Sequence, residues 1–184
     1  MRQTSEQTTA TALDALLQEQ ALTGAWVLDP RTSSLRLSNT SMWGLVPVKG
    51  AFREVSGHGT ISADGAVSGT ITVAAASIDT GNPRRDKHLR SADFFDSTNY
   101  PDIVFTADGI RPSGQGVAVT GVLTVRDRTR PLTFEAVATV QDDGEAWLDA
   151  AVHVNQADFG LTWNLLGTVG RANILTIHAV FTRR

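Results

Sequence analysis

Val117-Ala118-Val119-Thr120-Gly121-Val122-Leu123-Thr124-Val125, a turn at Asp127-Arg128, then Leu132-Thr133-Phe134-Glu135-Ala136-Val137-Ala138-Thr139-Val140: this stretch decides the fold. Val117, Val119, Leu123 and Val125 alternate with Ala118, Thr120, Thr124 and Arg126, and Leu132, Phe134, Ala136, Ala138 and Val140 alternate with Thr133, Glu135, Thr139 and Gln141. A period of two puts the apolar set on one face of a strand, and the short turn between the runs makes them a half-buried antiparallel hairpin. Working outward, Val67, Ile71, Val73 and Ala75 alternate with Ser68, Thr70 and Thr72 in the same way. Trp26 to Leu37, Val46 to Val55, Gly57 to Ala63, Ile103 to Ile110, Ala146 to Asn155 and Ile174 to Thr182 supply further strands. Turn signals such as Ala63-Asp64-Gly65 and Asp142-Asp143-Gly144 separate several of them. Parallel crossovers need a helix between strands, and only Asp79 to Asp102 is long enough to hold one. The expected fold is all-β, an antiparallel up-and-down barrel of about eight strands, which also removes exposed edges.

A chain of 184 residues is one domain by default, long enough to bury a sizeable core. With no cysteine it has no disulfide framework, zinc ribbon or thiol nucleophile. A net charge of −3 gives no long-range field to gather phosphate backbones, so nucleic acid is not an expected partner. No stretch approaches the length of an apolar membrane span, and Met1 to Gly24 lacks the basic start and apolar segment of a secretory signal. These features predict a soluble, cytoplasmic protein. Thr9 to Ala21 places Leu13, Leu16, Leu17 and Ala21 at helical spacing, which predicts a short N-terminal α-helix within an extension over residues 1–24, followed by the barrel over 25–184.

Small residues, Gly69, Ala75, Gly121, Ala136, Ala138, Ala150 and Ala179, fall on the expected inward faces. A barrel lined this way leaves volume for an apolar or amphiphilic guest. The other reading fills that volume with the N-terminal helix or with Trp43, Phe94, Phe95, Phe105 and Trp163.

The most unusual segment runs Ser77-Ile78-Asp79-Thr80-Gly81-Asn82-Pro83-Arg84-Arg85-Asp86-Lys87-His88-Leu89-Arg90-Ser91-Ala92-Asp93-Phe94-Phe95-Asp96, followed by Tyr100-Pro101-Asp102. It reads as a strand end, a turn, a short helical turn near 86–91, and two aromatics before the next strand. This order of pieces resembles the YceI-like family. So do Trp26-Val27-Leu28-Asp29, Gly50-Ala51-Phe52, Gly121 to Val125 with Thr129-Arg130-Pro131-Leu132, and Asp158-Phe159-Gly160-Leu161-Thr162-Trp163-Asn164. The resemblance implies a lipocalin-like barrel that binds polyisoprenoids or other long-chain amphiphiles, and it suggests a homodimer. Three positions depart from the family pattern: Thr32, and Thr40 with Ser41, where relatives carry histidine, and Gln156 in place of an arginine.

For the pocket wall the candidates are Trp43, Leu45, Phe52, Ile78 and Leu89, together with Phe94, Phe95, Phe105, Leu161 and Trp163. Arg84, Arg85, His88 and Arg90 are candidates to hold an anionic head group, since arginine chelates phosphate or carboxylate. The competing reading of that cluster is a solvated turn in which Arg84 or Arg85 pairs with Asp86, Asp93 or Asp96. The histidines, His58, His88, His153 and His178, show no ligand spacing, so no metal is expected, and His58 and His153 fall on polar strand faces. No Gly-x-Ser-x-Gly elbow is present. Neither Gly57-His58-Gly59 nor Gly114-Gln115-Gly116 opens a helix after a strand as a phosphate loop does. The expectation is therefore a non-catalytic protein without cofactor, holding an isoprenoid, quinone precursor or fatty-acid derivative for storage or transport. The alternative is a stress-related interaction protein with a filled barrel.

Overall fold

The computed structural model describes residues 20–41, 46–114, 116–161 and 169–184. The N-terminal helix expected over Thr9 to Ala21 lies almost wholly outside them; Gln20 to Thr23 form a turn.

The strands are β1 (Gly24–Leu28), β2 (Ser34–Ser41), β3 (Val46–Phe52), β4 (Val55–Ile61), β5 (Val67–Ala74), β6 (Ile78–Asp79), β7 (Asp102–Ser113), β8 (Gly116–Val125), β9 (Arg128–Val140), β10 (Ala146–Asn155) and β11 (Val169–Arg183). One helix, α1 (Pro83–Arg90), lies between β6 and β7. The pairings are all antiparallel and follow chain order from β7 to β11, and β11 then closes the ring against β1 and β2. β1 with β2, β3 with β4, and β5 with β6 each make one broken stave, so the ring is an up-and-down barrel of eight staves. β8 and β9 pair in register from Val117↔Ala136 to Val125↔Arg128, and Val117, Val119, Gly121, Leu123 and Val125 are the buried set on β8.

Several strand boundaries differ from those read in the sequence: the β8–β9 turn falls at Arg126-Asp127, one residue earlier than read, Ala75 leaves β5 for a 3-10 turn, and two staves break in unexpected places. Trp26 to Leu37 is not one strand, because Asp29 to Ser33 form a turn closed by the Ser33 N–H on the Asp29 carbonyl at 3.0 Å. That turn is pinned to β11: Asp29 N–H donates to the Val180 carbonyl at 2.8 Å and Val180 N–H donates to Ser33 Oγ at 2.9 Å. The next stave breaks at Arg53-Glu54, earlier than the expected gap after Val55, where both residues turn to the third stave. Arg53 N–H donates to the Ser77 carbonyl, and the Glu54 carbonyl accepts from Ala74 N–H. With a 3-10 turn at Ala75–Ser77, three adjacent staves thus break at one level and bend the wall there.

The two ends of the barrel differ. One carries the tight turns after β4, β7 and β9, where Gly65 and Gly144 take the positive φ that such turns require. The other carries α1 and the β8–β9 turn. α1 spans Pro83–Arg90, slightly earlier than the turn read at 86–91. Asn82 caps it, accepting from Arg84 and Arg85 N–H, and Pro83 presets the first helical φ. Asp86, 6% exposed, holds the helix to the strand end by accepting from Thr80 N–H at 3.0 Å and Thr80 Oγ1 at 2.5 Å.

Packing concentrates at this helix end, where Phe52, Val73, Ile78, Phe95, Leu123 and Phe159 belong to one cluster. A smaller cluster around Val117, Val119 and Ala136 lies toward the hairpin end. On β8, Gly121 has no room for a side chain: a Cβ there would lie 2.2 Å from the Thr106 carbonyl oxygen and 2.9 Å from Phe105 Cζ.

Gly121→Val should therefore lose about 1–3 kcal/mol or more in a urea unfolding curve, the cost of overpacking against backbone that cannot move aside. Wild-type stability would show that the strand can shift. Asp86→Ala should cost about 1–3 kcal/mol by the same assay, because it strips the acceptor from the part-buried N–H and hydroxyl of Thr80.

Candidate functional site

Strand parity decides what faces the interior. Leu35 and Leu37 on β2, Val55, Gly57 and Gly59 on β4, Leu132, Phe134 and Ala138 on β9, and Leu175, Ile177 and Ala179 on β11 share the inward side of their strands. The glycines and alanines among them leave the centre unfilled. A cavity of about 280 Å³ results. On β8 its wall runs from Val119 to Val125, about 20 Å of strand that a roughly 40° tilt shortens to about 15 Å along the barrel axis.

Leu22 and Trp26 wall the hairpin end, with Trp26 Nε1 donating to the Leu22 carbonyl at 3.0 Å. Phe94, Phe95, Phe159 and Leu161 wall the helix end. Phe94 and Phe95 meet edge to face at 4.8 Å between ring centres, and Phe95 meets Phe52 at 6.0 Å. These aromatics thus bound the space instead of filling it.

No Asp, Glu, Lys or Arg lines the cavity among the described residues. Two histidines lie along its wall, yet the His58 side chain is on the exposed face of β4 and the His178 ring turns outward to Asp149, with Nδ1 and Oδ1 2.7 Å apart. The polar exceptions with side chains buried inside are Gln156, 6% exposed, and Asn173, 9% exposed, at the helix end. Asn173 Nδ2 donates to Gln156 Oε1 at 3.4 Å, and Asn39 Nδ2 donates to Asn173 Oδ1 at 2.8 Å. The sequence reading singled out Gln156 only as a departure and missed both asparagines. Their signal was parity: Asn39 continues the face of Leu35 and Leu37, and Asn173 that of Leu175 and Ile177.

Of the wall candidates, Phe52, Phe94, Phe95, Phe105 and Leu161 line the cavity. Ile78 is fully buried in the packed cluster and Leu89 packs against that cluster from α1, so both support the wall from behind. Trp43, Leu45 and Trp163 lie outside the described residues. Arg84, Arg85, His88 and Arg90 are gathered on α1, and none of them is on the cavity wall. Arg85 Nε donates to Thr80 Oγ1 at 2.7 Å and its Nη2 to the Thr80 carbonyl at 2.9 Å. Arg90 Nη2 donates to the Ile78 carbonyl at 2.5 Å. Arg84 is exposed. Arg85 and Arg90 thus hold the turn through Thr80 and Ile78 instead of through the arginine–aspartate pairs expected, and Asp86 is bound by Thr80 and Asp96 by Asn99.

Perturbed carboxylates sit elsewhere. The Arg31 guanidinium holds Asp29 below the usual carboxylate range, the Ser62 hydroxyl does so for Asp64, and the Gly81 N–H followed by Arg53 does so for Asp79. All three are on turns or strand ends outside the cavity. Among the described residues no group of His, Asp or Glu is placed to hold a metal ion, and no helix is long and apolar enough to cross a membrane.

Comparison with known proteins agrees with this architecture. Protein YceI of Shigella flexneri is 36% identical over 100 residues, 52% of this chain and 52% of its own length. Protein YceI of Salmonella arizonae is 34% identical over the same shares. The chain thus spans about half the length of the curated relatives it matches. Among solved structures, Burkholderia cenocepacia BcnA has a TM-score of 0.75 at 24% identity, covering 83% of this chain and 98% of its own. A polyisoprenoid binding domain from Saccharophagus degradans has a TM-score of 0.69 at 14% identity, covering 86% and 98%. At those identities the likeness is one of fold. The YceI-like domain itself matches residues 26–181, nearly the whole barrel, and the chain belongs to that family.

Proposed function

We propose that this protein is a non-catalytic carrier or store that holds one long-chain amphiphile, such as a polyisoprenoid, quinone precursor or fatty-acid derivative, along the axis of its barrel. The observation that carries this reading is the cavity of about 280 Å³ whose wall, from Trp26 to Leu161, is mostly apolar. A lipid ligand is also in keeping with the Saccharophagus degradans domain, which is described as polyisoprenoid binding. Catalysis on a bound lipid would need an acid or base within the barrel, and the described wall supplies neither a carboxylate nor an inward imidazole.

Energetics favour an occupant. Lining atoms that face the space of about 280 Å³ lack packing contacts on that side. A chain that fills the bore restores the lost contacts and removes its own methylenes from water, at ~0.8 kcal/mol each before ordering costs.

Affinity should therefore rise with each carbon added to a prenyl or acyl ligand, by up to about fourfold per methylene, and level off once the chain spans the bore; titration calorimetry across a length series reads this. A flat series would mean that the tail is not buried. Protein stripped by solvent extraction and refilled at about a hundredfold its dissociation constant should gain roughly 5–10 °C in melting temperature. An unchanged melting temperature would count against a ligand inside the barrel.

A further inference from the structure

Among the described residues, the hairpin end of the cavity is closed by one layer of side chains. Leu22, Trp26 and Val140 line the cavity, and the same three line a second pocket beyond it, which Asp143 and Glu145 after β9 and Arg183 near the end of β11 help to complete. The helix end is deeper. Phe94 and Phe95 are backed there by Ile78 and Leu89, and Arg126 holds the Phe94 carbonyl.

Leu22 is 5% exposed, yet it lies outside every strand. β1 begins its pairing at Gly24, opposite Ile61, so the turn over Gln20 to Thr23 can swing without parting any ladder. Three features lower the cost of that movement. Gly24 joins the turn to β1 at φ 137°, and a glycine rotates there through regions closed to other residues. Gln20 holds φ 58°, a left-handed conformation that is costly for a residue with a side chain and is released when the turn opens. The Thr23 hydroxyl is buried without a hydrogen-bond partner among the described residues, and outward movement returns it to water.

What holds the turn shut comes from β1 and β11. The Arg183 guanidinium donates to the Ala21 carbonyl and lies 5.2 Å from the ring of Trp26, its partner across the seam. Trp26 Nε1 in turn donates to the Leu22 carbonyl at 3.0 Å. From these observations, and resting on the lipid-holding reading above, we infer that the long-chain ligand enters and leaves by the hairpin end, through a gate whose plug is Leu22, whose hinge is Gly24 and whose latch is Arg183.

A gate and a wall differ in kinetics. Loosening a latch that is shut in both the empty and the filled protein raises association and dissociation by the same factor, whereas weakening a wall raises dissociation alone. Stopped-flow fluorescence with cis-parinaric acid and with retinol, one acyl and one prenyl probe, measures both rates. Arg183→Met, which removes the charge and the donor, should speed both about tenfold and shift the dissociation constant by less than about twofold. Thr23→Val, which replaces the stranded hydroxyl by a methyl group, should do the reverse and slow both about tenfold. Leu22→Ala thins the plug and should also speed association; it carries the test where Arg183→Met does not fold.

Unaltered rates in all three variants, with both probes still bound, would overturn the gate and leave the lipid-holding reading intact. So would faster exchange in Arg126→Met alone, which would put the entrance at the helix end. Faster dissociation without faster association would make Leu22 and Arg183 parts of the wall and nothing more. Wild-type protein that binds neither probe would overturn the lipid-holding reading, and the gate with it.

Discussion

Closure of the ring rests on β11, a strand of fifteen residues that pairs with β10 along one edge and with β2 and then β1 along the other. The seam joins the two ends of the chain's meander, and with no cysteine in the sequence it is made without a disulfide. The turn between β1 and β2 reinforces it by bonding both the N–H and the carbonyl of Val180, a residue on the outer face that is nevertheless buried beneath that turn. At its last turn the seam is reinforced again, where the Arg183 guanidinium lies 5.2 Å from the Trp26 ring and donates to the Ala21 carbonyl. Once the seam is shut, every strand's register is set by its neighbours. A one-residue slip anywhere would turn a whole stave inside out.

That constraint makes the hollow interior possible. In a helical core, missing side-chain volume is partly recovered by helices moving together. A closed ladder cannot contract in this way, because its circumference is fixed by strand number and stagger. Glycine or alanine at an inward position therefore becomes space. Gly57, Gly59, Gly69 and Gly121 also allow close approach of neighbouring backbone: a Cβ at Gly69 would come within 2.7 Å of the His58 carbonyl oxygen. The same residues thus tighten the wall and open the bore.

How much of this could be read beforehand depended on whether the signal was local. The β8–β9 hairpin was legible because its alternation is unbroken and its turn is two residues long. The helical turn was legible as an interruption between strands, but Asn82-Pro83 read as a turn and not as its cap, so its start was placed three residues late. The broken staves were not, because the breaks at Asp29–Ser33 and Arg53-Glu54 are set by bonds to Val180, Ser77 and Ala74, far away in sequence. Nor were the bonds of Arg85 and Arg90, whose partners are the Thr80 hydroxyl and the Thr80 and Ile78 carbonyls, which no composition reveals. The amide cluster lies between these cases. Asn39 and Asn173 occupy inward positions by simple parity, but an asparagine in an apolar register reads as the end of a strand until its partner across the ladder is known.

The charged turn and the neutral bore are parts of one device. Asp86 and Arg85 converge on Thr80, and Arg90 reaches back to Ile78, so the helix is drawn onto the end of the third stave. The chain leaving that helix is held in turn: Phe95 N–H donates to the Leu89 carbonyl, and Arg126, stacked 5.7 Å from the Tyr100 ring, donates to the Phe94 carbonyl at 3.1 Å. Both bonds act on the backbone of the two phenylalanines that wall the helix end. Charge is spent outside the cavity to orient aromatics inside it, with Arg90 and Arg126 each reaching a carbonyl oxygen of the clasp.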